Sequence, residues 1–109
     1  MSVSLNATFA ALSDETRRAI LRRLGQGVAT VGDLAAPHPM SLTGLMKHLR
    51  VLESADLIKR EKTGRTVWVK LNARPLEAAS NWVDWYKVVW EGQLDSLTEH
   101  LASQRRKGK

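Results

Sequence analysis

Cationic and hydroxyl-bearing side chains recur in two neighbouring stretches of this sequence, and their types suit the binding of anions. Ser41, Thr43, Gly44, Met46, Lys47, His48 and Arg50 fall within one amphipathic segment, and Arg60, Lys62 and Arg65 follow it closely. Lysine and arginine neutralise phosphates and release condensed counterions, while serine and threonine hydroxyls hydrogen-bond phosphate oxygens or base edges. Bond-breaking chemistry has much less to work with. The chain has no cysteine, which removes thiolate nucleophiles, disulfides and thiolate metal sites together. No nucleophile–base pair, phosphate-cradling glycine loop or metal-ligand cluster is present, so the chain reads as a non-enzyme without a cofactor. His48 with Asp14 or Glu53 can be drawn as an acid–base pair, but nothing in the sequence gives them a cleft. Asp84, Asp95, Glu99 and His100 lie on one late segment without a second histidine, and His38 sits between prolines. Neither arrangement reads as a metal site.

Composition agrees with anion binding. Seventeen Lys and Arg against eleven Asp and Glu give a formal net charge of +6. The 109 residues, 43% of them hydrophobic, suffice for one domain, residues 1–109, with a real core. No apolar run reaches membrane-spanning length, and Met1-Ser2-Val3-Ser4 does not read as a signal peptide, so no membrane partner is expected and a cytoplasmic location is.

The elements that must position these residues can be read from periodicity. Leu5, Phe9 and Leu12 have helical spacing. Ser13 reads as the N-cap of a second helix, with Asp14 and Glu15 in its first turn and Ile20, Leu21 and Leu24 inside, ending at Gly25-Gln26-Gly27. Its Arg17, Arg18, Arg22 and Arg23 read as a solvated face. Thr30 caps a short helix carrying Val31, Leu34 and Ala35, which Pro37-His38-Pro39 stops. Ser41 caps the next, whose Leu42, Leu45, Leu49 and Leu52 recur at spacings of 3, 4 and 3 and predict one buried stripe. From Leu57 the period changes to two. Leu57–Lys62 and Thr66–Leu71 predict a β-hairpin around Thr63-Gly64. A long helix follows from about Leu76 to Ala102. The predicted fold is mainly α with a small β-hairpin, in the order α-α-α-α-β-β-α.

Three features then converge. The Ser41–Ser54 helix has a small, polar N-terminal half that suits approach to a major-groove floor. The basic hairpin beside it suits a backbone or minor groove, although charges on an edge strand also serve to block aggregation. In the last helix Leu76, Ala79, Val83, Tyr86, Trp90, Leu94, Leu97 and Leu101 recur at helical spacing, and Trp82, Trp85, Val88 and Val89 make its first half apolar on nearly every face. Such a helix calls for two partners. A second subunit is the natural one, with Leu5, Phe9, Val83, Tyr86, Trp90, Leu94 and Leu97 as interface candidates and a palindromic duplex as the matching ligand. Two alternatives stay open: a module of this same helix-and-hairpin build used for protein–protein contact, and a tryptophan-lined pocket that senses a small molecule.

Particular motifs now become recognisable. Leu12-Ser13-Asp14-Glu15-Thr16-Arg17-Arg18-Ala19-Ile20-Leu21 resembles the opening helix motif of ArsR-type winged helix-turn-helix repressors. Ser41-Leu42, Leu45, Lys47-His48-Leu49, Leu52, Ala55 and Leu57 resemble their recognition helix, and Arg60, Gly64-Arg65 and Leu71 their wing. The resemblance spans Leu5 to Leu101. It implies a homodimer joined by its first and last helices, binding double-stranded operator DNA and repressing by promoter occupancy, with relief by an inducer. Founding members sense metals through cysteines or Asp/His/Glu clusters that this chain lacks, which places it nearest the cysteine-free branch. A small residue is usual where Met46 stands. Glycine is usual where Asp56 stands, just past a helix end, and aspartate tolerates the left-handed backbone needed there.

Overall fold

Caps and apolar spacing account for the boundaries of most elements. The structure is a computed structural model that describes residues 4–107, with side chains through Arg105. Met1–Val3 of the N-terminal reading, and Gly108 and Lys109 of the basic tail, lie outside the described residues. The order is α1 (Leu5–Ala11), α2 (Glu15–Leu24), β1 (Ala29–Thr30), α3 (Val31–Ala35), α4 (Leu42–Ser54), β2 (Ile58–Thr63), β3 (Thr66–Leu71) and α5 (Arg74–Lys107). This is the expected mainly helical order with one addition. Two residues, Ala29 and Thr30, make a third strand by pairing antiparallel with Val69 and Trp68, so the sheet runs β1-β3-β2. A two-residue strand is too short to show a period of two, and Thr30 also serves as the N-cap of α3.

Three sequence expectations are corrected. The N-cap of α2 is Asp14 instead of Ser13: the Asp14 carboxylate accepts from Arg17 N, while Ser13 Oγ turns back to donate to Ala10 O. The α4 stripe is shorter than its spacing suggested, since Leu45, Leu49 and Leu52 are fully buried but Leu42 is 61% exposed. Leu42 is the first residue after the cap and precedes the turn that packs on the core. The last helix begins at Arg74, with Pro75 in its first turn, where a missing N–H costs nothing. It continues to Lys107, beyond the expected Ala102.

The turn after α4 follows the expectation for Asp56. Its φ is +59°, and the backbone reverses there so that Leu57 N can donate to Leu52 O at 2.9 Å. Asn72 fixes the far end of the hairpin, its backbone N–H donating to Leu57 O and its side-chain amide to Asp56 O.

The chain forms two compact units, one through Ala79 and one from Ser80 onward. The core of the first gathers Ile20, Leu21, Leu24, Leu34, Leu45, Leu49, Leu52, Leu57, Ile58 and Val69. The second is helical from Ser80 to Lys107 and carries an aromatic group in which Trp82 stacks on Tyr86, with centroids 5.9 Å apart and planes within 10°. Trp85 lies tilted against Trp82 at 6.5 Å.

Candidate nucleic-acid interface

Helix α4 is set by its cap and its leucines. Ser41 Oγ accepts from Gly44 N at 3.1 Å, which satisfies a donor that the first helical turn leaves unpaired. Burial of Leu45, Leu49 and Leu52 then fixes the rotation of the helix. Ser41, Thr43, Lys47 and Arg50 are exposed, while Gly44, Met46 and His48 are half-buried. The sequence-predicted residues of this helix therefore divide. Thr43, Lys47 and Arg50 form the outward face, and His48 turns toward α2.

There His48 Nδ1 lies 3.3 Å from Arg17 Nη1 and 3.7 Å from Asp14 Oδ2. Nδ1 stands between a guanidinium that can only donate and a carboxylate that can only accept. The drawn His48–Asp14 pair thus exists, but as a tether between helices with Arg17 against the same nitrogen. Arg17 does more. Its Nε donates to Ala11 O at 2.7 Å and its Nη2 to Ala10 O at 3.1 Å, while Arg18 Nη1 donates to Leu12 O at 2.7 Å. These guanidinium groups cover the carbonyls at the end of α1, where the helix dipole favours positive charge. Arg23 likewise reaches Gly27 O at 3.3 Å, so the expected solvated arginine face is largely spent on backbone carbonyls. The Arg17 backbone N–H, opposed by desolvation and helped by the His48 and Arg17 charges, holds the Asp14 carboxyl below the usual carboxylate range.

The wing divides in the same way. In the β2–β3 ladder Ile58 faces Leu71, Arg60 faces Val69 and Lys62 faces Val67. Ile58 and Val69 are buried, so the period of two turns Arg60 toward the body of the unit. Its Nε donates to Glu53 Oε2 at 2.8 Å and its Nη2 to Glu53 Oε1 at 2.9 Å. That fork holds the Glu53 carboxyl below its usual range and Arg60 more firmly protonated. Lys62 and Arg65 are exposed, the latter beside Gly64, whose φ of +63° lets the hairpin turn. Among the described residues, Lys47, Arg50, Lys62 and Arg65 have no ion-pair partner.

Sequence reasoning missed Glu53 as the partner of Arg60, although a signal was present: Arg60 shares the parity of Ile58. It also missed Arg17, whose contacts run across a helix junction and leave no local pattern.

The interface candidates all retain accessible surface. Leu5 is half-buried, and Phe9, Val83, Tyr86, Trp90, Leu94 and Leu97 are exposed. Between α1 and α4 a groove of about 330 Å³ is lined by Ala7, Ala10, Arg50, Val51, Ser54 and Ala55. Among the described residues no group of three or more His, Asp or Glu could hold a metal ion, and no helix is long and apolar enough to cross a membrane.

Comparison with known proteins matches residues 12–61 to a helix-turn-helix domain model. The chain is 35% identical over 79 residues to the transcriptional repressor SdpR of Bacillus subtilis (strain 168), covering 72% of this chain and 88% of that one. Among solved structures, the ArsR family transcriptional regulator RHA00566 superposes with a TM-score of 0.75 at 41% identity, covering 80% of this chain and 90% of that one. The homodimeric winged helix-turn-helix DNA-binding domain of Mb0332 from Mycobacterium bovis superposes with a TM-score of 0.58 at 25% identity, covering 82% and 80%.

Proposed function

The chain belongs to the ArsR family of winged helix-turn-helix transcriptional regulators, and we propose that it is a repressor that occupies a palindromic operator in the cytoplasm as a homodimer. One observation carries the reading. The cations of α4 and of the wing tip, Lys47, Arg50, Lys62 and Arg65, are exposed and have no ion-pair partner among the described residues, while Glu53, the acid of α4, is neutralised by Arg60. Thr43 and Lys47 are assigned to the major groove, with Ser41, Gly44 and Met46 allowing close approach, and Lys62 and Arg65 to the backbone or minor groove. Residues 1–109 act in this reading as one DNA-binding domain, dimerised through Leu5 and Phe9 of α1 and Val83, Tyr86, Trp90, Leu94 and Leu97 of α5. The Mb0332 domain is a homodimer, and a second copy gives the exposed apolar residues of α5 a place to be buried.

Fluorescence anisotropy against the chain's own upstream promoter fragment and a scrambled duplex, over a salt series, tests this. Two protomers per site and a clear preference for the promoter are expected. Equal, weak and steeply salt-dependent binding to both duplexes sinks it. Lys47→Ala should reduce that preference, and Arg65→Ala should weaken both duplexes alike and lower the salt slope by about 1.

Relief by a small-molecule inducer is a further part of the proposal, with the exposed Trp82 and Tyr86 stack as the surface such a compound would meet. Tryptophan quenching by a panel of aromatic and lipid-like compounds tests it, and a flat panel removes it.

A further inference from the structure

Arg60 was one of three wing cations expected on DNA, and its geometry gives it different work. Ile58 and Val69 are the last fully buried residues of the hairpin, and Glu61 through Thr66 are all exposed. A two-stranded ribbon of this kind is marginal by itself and twists easily. Beyond Ile58 and Val69 the outermost polar tie between the hairpin and the rest of its unit, among the described residues, is the two-pronged bond from Arg60 to Glu53 on α4. Glu53 occupies the last turn of the helix whose outward face carries Thr43, Lys47 and Arg50. The same helix is held nearer its middle by His48 against Arg17 and Asp14.

We propose that Arg60 and Glu53 are a positioning pair: their fork fixes the angle between wing and recognition helix, so that Arg65 and Lys62 reach the duplex in register with Lys47. Arg60 itself contributes no phosphate contact. The inference rests on the DNA-binding reading above and assigns one of its residues a role unlike that of its neighbours. Two parallel N–H···O bonds fix direction as well as distance, which a single lysine-type contact does not. Part of the pair is open to solvent, with side-chain exposures of 28% and 40%, so its contribution to global stability is small and its effect lies in orientation.

The sign of one substitution separates this from simple electrostatics. Glu53→Gln removes a negative charge from a DNA-facing helix. If charge alone mattered, affinity would rise. If the pair positions the wing, affinity for the operator falls, by about fivefold for a wing that must be ordered on binding. Arg60→Gln should give a similar loss with the salt slope of wild type, whereas Arg65→Ala lowers that slope by about 1. The swapped double variant Glu53→Arg with Arg60→Glu restores the pair and should recover most of the affinity.

The experiment is operator anisotropy over a salt series for the full-length wild type and these variants, run with 15N relaxation of the DNA-free proteins. Lys62–Arg65 amides should become more mobile in Glu53→Gln and Arg60→Gln and return toward wild type in the double variant. A lowered salt slope in Arg60→Gln, tighter binding by Glu53→Gln, or unchanged wing mobility each overturns the proposal. Wild type with no operator preference would sink the DNA-binding reading instead, and the relaxation data would still decide whether the pair holds the wing.

Discussion

The two units of this chain spend their hydrophobic residues in opposite ways. In the unit ending at Ala79, leucines from three helices and residues of all three strands meet in one core, and Leu45, Leu49, Leu52 and Leu57 are fully buried. From Ser80 onward the large apolar side chains stay accessible, with Trp85 at 61% and Val88 at 69% exposure. Both stretches contain apolar residues at helical spacing. The difference lies in what closes the face: α4 has a sheet and other helices of its own unit against it, while a single helix has only itself. Apolar periodicity therefore records a demand for burial without saying whether the same chain or another copy meets it.

Leu49→Ala tests the self-sufficient side of that contrast most severely. It should cost about 2–5 kcal/mol in urea unfolding, with a loss that does not depend on protein concentration. A loss below 1 kcal/mol would mean that the core is looser than its burial implies. Trp90→Glu addresses the other side. A charge on the proposed contact face should weaken dimerisation about a hundredfold, near 3 kcal/mol, and sedimentation would show monomers at concentrations where wild type is dimeric. A stable, fully dimeric Trp90→Glu protein would take α5 out of the interface. At the turn after α4, Asp56→Gly should add about 0.5 kcal/mol, because glycine adopts a φ of +59° without steric penalty. No gain in the melting temperature would show that aspartate already fits that turn.

The smallest expected effect is acid sensitivity confined to the first unit. Asp14 and Glu53 both have carboxyls held below their usual range, by the Arg17 N–H and by Arg60 respectively. A depressed carboxylate contributes stability that is full above its unfolded value and is lost as pH falls through its folded one. Stability should therefore decline as pH drops through and below the ordinary carboxylate range. Asp14→Asn and Glu53→Gln together should flatten that part of the profile, and an unchanged profile would mean that neither contact matters to folding.

Much of the fold was legible because its determinants are local. Thr30 with Asp33 makes a reciprocal cap, Ser41 caps α4, Gly64 turns the hairpin and Asp56 accepts a left-handed backbone. Each of these is decided within a few residues by hydrogen-bonding groups or allowed dihedrals, so residue types at fixed offsets announce them. Alternation from Thr66 and the turn at Thr63-Gly64 likewise placed the hairpin, although its first strand starts at Ile58, one residue after the expected Leu57. The family was legible for the same reason, since its motifs are these caps, stripes and turns in a fixed order.

The tertiary structure alone divided the cations. Arg17, Arg18, Arg60 and Arg65 are the same residue in sequence, yet the first two cover the end of α1, the third is forked onto Glu53 and the fourth faces solvent. The short β1 and the exposure of Leu42 were settled the same way, by what packs alongside. A long, flexible cation takes whichever acceptor the fold brings within reach, and that acceptor is set by packing between segments distant along the chain. Local sequence determined where the elements begin and turn; only their assembly decided which charges remained for a partner.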